Sequence, residues 1–182
     1  FGTDRRQRPE RQGIRTGRLM STPLLALYAK ITRWPFGHWV FSKAVCFKAP
    51  YFGSISPAIT WLEHGRCQAR IHDHRAVRNH IGTVHAIALC NLAELCAGLM
   101  IDASLPKDMR WIPKAMNVSY LKRAKGTMHG TATPRIAIIS ATEGYELPVN
   151  VDVLDDAGEI VFNAEIRMWL SPKPVRSARP DR

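Results

Sequence analysis

Apolar positions recur with two different periods along this chain, and the switches between them outline its elements. Leu24, Leu27, Tyr28 and Ile31 repeat at helical spacing behind Thr22, a capping residue, and Pro23, which suits a first helical turn. They predict a helix over about 23–33, ended by Trp34-Pro35. The following PFGHWVFSKAVCFKAPYFGSISP is aromatic-rich and broken by Gly and Pro, so it reads as an irregular cover with room for a short second helix. Its aromatic residues either pack on the core, the commoner fate, or meet acyl chains or a membrane surface. From Ile55 the pattern is that of strands: about 55–63 and 66–73 form a hairpin across His64-Gly65. Further strands are predicted near 111–123, 126–133 and 135–142, with Gly126 and Pro134 as the boundaries between them. A last hairpin joins 147–154 to 159–170 through DDAG. Alternation of Val149, Val151 and Val153, and of Ile160, Phe162, Ala164, Ile166 and Met168, gives that hairpin one buried face.

Between the two sets of strands lies NHIGTVHAIALCNLAELCAG, residues 79–98. It opens on polar and Gly residues and then becomes a helix, about 83–100, that is apolar on every side and must be buried all round. One carboxylate, Glu94, sits within it, nine residues after His85. A buried carboxylate is expensive unless something satisfies or uses it. The order is therefore a hairpin, one central helix, then several antiparallel strands. A single apolar helix beside such a sheet is buried only if the sheet curls around it, which makes the fold class α+β.

Composition refines this picture modestly. The 182 residues, 46% apolar, suit one domain with a full core. Of the net charge of +11, the stretch 1–18 supplies +4 (six Arg against Asp4 and Glu10) and 171–182 supplies +3. These two stretches read as disordered basic tails, flanking a helical and aromatic cover over 19–54 and a main domain over 55–170. The tails would be solvated, or touch nucleic acid or anionic lipid; no interleaved aromatic platform or recognition motif argues for a specific nucleic-acid site. The mildly basic body suits phosphorylated small molecules at least as well as nucleic acid. Cys90 and Cys96 are six positions apart on the helix, about 9 Å along its axis, and cannot pair with each other. Cys46 and Cys67 stand isolated and no CxxC occurs, which favours a reduced, cytoplasmic compartment. No apolar run reaches the roughly 18 residues of a transmembrane segment, and 1–18 lack the apolar stretch of a secretory signal. Phe1 where Met would stand suggests a trimmed or incomplete chain.

The string N-x5-H-A-x7-E formed by Asn79, His85, Ala86 and Glu94 resembles that of the hotdog-fold acyl-CoA thioesterases, particularly the phenylacetate-pathway type and the related uncharacterised group beside it. The phrases WIPKAMNVSYLKRAKG and ELPVNVDVLDDAGEIVFNAEIRMWL resemble later hotdog strands, so the likeness covers about 50–170. It implies a curved antiparallel sheet wrapped around one helix, and a homodimer or dimer of dimers that hydrolyses acyl-CoA without metal or other cofactor. In such enzymes the backbone N–H groups of the helix start, here Gly82 to Ala86, stabilise the oxyanion of a thioester. The acid, here Glu94, meets the neighbouring subunit's site and activates water or attacks the carbonyl. Asn79 would orient the water or the thioester, with His80 and His85 as neighbours. Ala86 stands where the phenylacetate type has Gly, and Glu94 where it has Asp.

Each of these residues also has a purely structural reading. Glu94 would accept hydrogen bonds from backbone or from Asn91, three positions earlier; Asn79 would be a turn residue, and His85 a helix-start residue. Lys122, Arg123 and Lys125 would bind coenzyme A phosphates or be solvated edge charges. His72 and His74 lack a third ligand at telling spacing for a metal. Ser56, Ser119 and Ser140 have no nucleophile-elbow context. A hotdog protein that binds an acyl-CoA or fatty-acyl group without cleaving it is the second functional expectation.

Overall fold

The computed structural model describes residues 22–174, so 1–21 and 175–182 lie outside it: the whole of the tail expected over 1–18 and all but 171–174 of the one expected over 171–182. Helix α1, Pro23–Ile31, starts where Thr22 Oγ1 accepts the Leu25 N–H at 3.3 Å. Helix α2, Gly37–Lys48, is a full 12 residues and fills much of the stretch expected to be irregular. Its inner face is only Gly37, Phe41 and Ser42, too few apolar positions to show a helical period. A 3-10 turn, Pro50–Ile55, leads to strands β1, Ala58–Glu63, and β2, Arg66–Ile71. Then come the central helix α3, Ala86–Ser104, and strands β3, Met109–Tyr120, β4, Met128–Pro134, β5, Tyr145–Leu154, and β6, Ile160–Pro172.

The six strands form one antiparallel sheet in the order β1-β2-β4-β5-β6-β3. This curved sheet wraps α3, and the architecture is the hotdog fold. Leu147, Val149, Val151 and Val153 of β5, with Phe162, Ala164, Ile166, Met168 and Leu170 of β6, turn a fully apolar face to Leu92, Cys96 and Met100 of the helix. The approach is tight at Gly130 of β4, where an added Cβ would lie 3.1 Å from Leu92 Cγ and 3.3 Å from Cys96 Sγ. The same packing sets Cys67 of β2 beside Cys96, and this hydrogen-bonded, buried pair pushes the Cys67 thiol well up. Cys67 is thus not isolated, though all four cysteines are free thiols.

Four expectations need correction. Residues 135–142 form no strand. Arg135 N–H still donates to Pro148 O at 2.9 Å, but Pro148 has no N–H to return, and the β4–β5 ladder ends there. The Tyr145 hydroxyl takes over, accepting from Ile139 N–H and donating to Ile139 O, both at 3.0 Å. Second, Ile160 is 43% exposed, because a register shift after Val153 turns it outward while Val161 and Phe162 are both buried. Third, α3 starts and ends later than 83–100, running on to Ser104, whose hydroxyl donates to Met100 O and accepts the Gly65 N–H of the β1–β2 turn. Fourth, α3 does have the length and apolarity of a bilayer span, but 67% of that stretch is buried in the fold as its core helix.

Candidate functional site

The loop that delivers the chain into α3 is knitted by Asn79. Its Oδ1 accepts the N–H groups of Ile81 and Thr83 at 3.1 and 3.0 Å, and its Nδ2 donates to Thr83 Oγ1 at 2.8 Å. Such Asx geometry lets the chain reverse in few residues, with Gly82 in the left-handed region at φ +76°. Gly82 N–H is spent on Asn79 O, so Gly82 shapes the turn three residues ahead of the helix cap. His85 is that cap: its Nδ1 accepts the Ile87 N–H at 3.1 Å, which puts the ring proton on Nε2. Its carbonyl accepts Ala88 and Leu89 N–H at 2.9 and 3.3 Å. Among the described residues, the Ala86 N–H has no acceptor, which leaves it as the free donor at the positive end of the α3 dipole. His80 is exposed at the turn beside it.

A basic loop lies directly against this start. Val84 N–H donates to Ala124 O at 2.8 Å, which fastens residues 122–125 to the residues before Ala86. Asp73 and Asp156 hold the same loop from either side, accepting Gly126 N–H at 3.4 Å and Thr127 N–H at 2.8 Å. Arg78, 2.6 Å away, holds the Asp73 carboxyl below its usual range, and Thr127 N–H and His129 do the same for Asp156. Lys122 pairs with Glu159 at 2.7 Å, while among the described residues Arg123 and Lys125 are exposed and unpaired.

Glu94 stands elsewhere, half-buried at the wall of a cavity of about 340 Å³. Leu24, Val45, Phe52, Leu99, Trp111 and Pro113 make most of that wall apolar, with Lys48 and Asp102 as its other charged members. The Glu94 carboxylate makes no hydrogen bond or ion pair with any described residue. Asn91 does not serve it: Asn91 Nδ2 donates to Ser54 Oγ at 3.2 Å, and Asn91 Oδ1 is buried with no partner. Two turns further on, Asp102 accepts the Trp111 Nε1–H at 2.7 Å; loss of solvation raises its carboxyl, against the pull of Trp111 and Lys48. Gly98, between the two acids on one helix face, lets the Trp111 indole come close. Trp111 and Ser54 belong to this region and had no signal in sequence, because each arrives from a different element; Asp102, on Glu94's own helix face, was missed because the helix was expected to end near 100.

The structure thus gathers Asn79, His80, Gly82, His85, Ala86, Arg123 and Lys125 at one end of α3, and puts Glu94 with Asn91 further along it. Ala86 and Glu94 are eight residues apart, about 12 Å along the axis. One thioester carbonyl cannot touch both within a single chain.

A family model described as a domain of unknown function, DUF4442, matches residues 37–170. The chain belongs to the DUF4442 family. The DUF4442 match opens at Gly37, so α2 is inside the family unit and α1 precedes it. A solved structural-genomics protein, APC5556, is 39% identical over 82% of this chain and 99% of its own, with a TM-score of 0.71. A Pseudomonas aeruginosa protein, PA5026, named a probable thioesterase, is 23% identical over 70% of this chain and 91% of its own, with a TM-score of 0.63. The Haemophilus influenzae thioesterase HI1161 is 14% identical over 67% of this chain and 82% of its own, with a TM-score of 0.58. The likeness to these last two is one of fold. No curated protein matches this chain.

Proposed function

We propose that this DUF4442 protein is an acyl-CoA thioesterase whose site is shared between two copies of the chain. The observation that carries the proposal is Glu94: a half-buried carboxylate with no hydrogen-bonding or ionic partner among the described residues, at the wall of a largely apolar cavity beside the core helix. Leaving a half-buried charge unpaired costs stability, and a catalytic base or nucleophile is a reason to keep it.

The acyl chain would occupy the apolar cavity, with its thioester carbonyl accepting the free Ala86 N–H of the other copy. Arg123 and Lys125, fastened beside that N–H, would take the phosphates of coenzyme A. Glu94 then removes a proton from water as the water oxygen bonds to the carbonyl carbon. The resulting oxyanion is held by Ala86 N–H and the α3 dipole. When the intermediate collapses, the C–S bond breaks and the thiolate regains the proton from Glu94. In the nucleophilic variant Glu94 bonds to the carbonyl carbon first, expelling the thiolate, and water hydrolyses the mixed anhydride. Asn79 and His85 act by shaping the helix start.

Sharing the site follows from the 12 Å separation noted above, and β3 offers the place. Among the described residues β3 pairs only with β6 and leaves a 12-residue edge open, along which Ile112 and Tyr120 are exposed. A second β3 running antiparallel would cover that edge and make a two-fold dimer, alone or within a dimer of dimers. The N-x5-H-A-x7-E string supports including aromatic acyl groups, as for the phenylacetate-pathway type, among candidate substrates.

Purified protein is expected to release thiol from at least one member of a panel of short, medium and aromatic acyl-CoAs. Glu94→Gln should lower kcat by about 100-fold or more while leaving binding intact. No release across the panel, or full activity in Glu94→Gln, overturns the proposal. One observation favours a second reading, acyl-CoA binding without hydrolysis: the Asn79 amide is spent within its own loop rather than offered to a water. Tight binding without turnover, unchanged in Glu94→Gln, is its signature.

A further inference from the structure

The corner between α1 and α2 carries an aromatic surface that neither the core nor the site uses. Trp34 is 74% exposed, Phe36 83% and Trp39 62%, with Leu27 and Val40 beside them. These are surplus to packing, because the inner side of the helix pair has its own anchors: Tyr28 and Phe41 are buried ring against ring, centroids 5.0 Å apart. The corner is also rigid. Gly37 packs so tightly that an added Cβ would lie 2.2 Å from Ile31 O, and Phe36 is held at φ +63°, a conformation rare for a bulky residue. The fold therefore fixes an aromatic ring outward, in strained backbone, where a small polar residue would sit more easily.

The charged residues of the corner itself, on α1, the turn and α2, are all basic. Lys30 lines the same groove as Leu27, Trp34 and Val40, and Lys43 Nζ sits 5.9 Å over the Trp39 ring. Arg33 lies in the turn itself, and from position 11 to position 62 the chain contains no Asp or Glu. The preceding stretch 1–18 adds a further +4.

We propose that the α1–α2 corner docks onto an anionic lipid bilayer, independently of the catalytic reading. Trp and Phe favour the headgroup level, where ring and water both have a place, and the cations meet acidic headgroups. Charge complementarity selects this occupant. A second copy meeting the same face about a two-fold axis would set Lys30, Arg33 and Lys43 against their own like charges. The patch also adjoins β1, at the opposite end of the strand order from the open β3 edge.

The test is co-sedimentation of the full chain with vesicles of phosphatidylcholine alone and of phosphatidylcholine with phosphatidylglycerol, alongside tryptophan fluorescence with brominated lipid. Binding to the anionic vesicles only, weakened by salt, with quenching of exposed tryptophan, is the expected result. Trp34→Ser with Trp39→Ser and Phe36→Asn should weaken it at least tenfold without lowering the melting temperature. If those variants do not fold, quenching by brominated lipid in the unaltered chain decides the matter alone. The proposal is overturned by no vesicle binding, or by binding that survives the aromatic replacements and vanishes on deleting 1–18. It is overturned equally if those replacements dissociate an oligomer, or release a single-stranded oligonucleotide, while vesicles remain unbound.

Discussion

At the scale of single residues, two glycines show how closely helix and sheet are matched. Gly130 faces Leu92 and Cys96, both fully buried and held on all sides. Gly130→Ala should therefore cost about 1–3 kcal/mol through overpacking. Gly98 faces the rim of the Trp111 indole at 3.2 Å, a partly exposed ring that can give way, and it lies in a helix interior. Gly98→Ala should leave stability unchanged or raise it by up to about 1 kcal/mol, since Ala is the better helix former. Urea denaturation of the two variants checks the contrast. The residues that sequence could not reveal are those whose meaning is a contact. Cys67 looked isolated until β2 placed it beside Cys96, and Asn91 looked like a partner for Glu94 until Ser54 took its amide. Glu94 itself was legible, because a lone carboxylate in the apolar run 83–100 conflicts with its surroundings without reference to any neighbour.

At the scale of elements, the start of α3 separates structure from chemistry. His85→Ala removes the side chain that caps Ile87 N–H and should cost about 1 kcal/mol. Ala86→Pro is different. Pro suits the first helical position, the preceding His85 already has extended backbone, and the N–H that Pro lacks bonds to no described residue. Stability should hold within about 0.5 kcal/mol while kcat falls by about 100-fold or more, read by thermal melts and thiol release. Elements with a strong pattern of their own were legible from sequence: α1 and the β5–β6 hairpin by their period, α3 by its unbroken apolarity. Those governed by a distant strand were not. The stretch 135–142 has strand composition, but the residue that ends its pairing is Pro148, on the opposite strand. Helix α2 was legible only as a short second helix within an irregular cover, and its full 12 residues were not, because the inward face is three residues wide and the outward one carries apolar residues as well.

At the scale of the whole molecule, a hotdog sheet closes around α3 but leaves the β3 edge open and the two halves of the proposed site apart. Both features point to a second copy, and both are joined in one experiment. Glu94→Gln and Ala86→Pro subunits, each inactive alone, are mixed under conditions that exchange subunits, and thiol release is measured. If Glu94 of one copy serves Ala86 of the other, each mixed dimer regains one intact site of its two. Random mixing should then restore about a quarter of the wild-type rate. If both residues act within one chain, no mixed dimer holds an intact site, and a mixture as inactive as its parents would contradict the shared site.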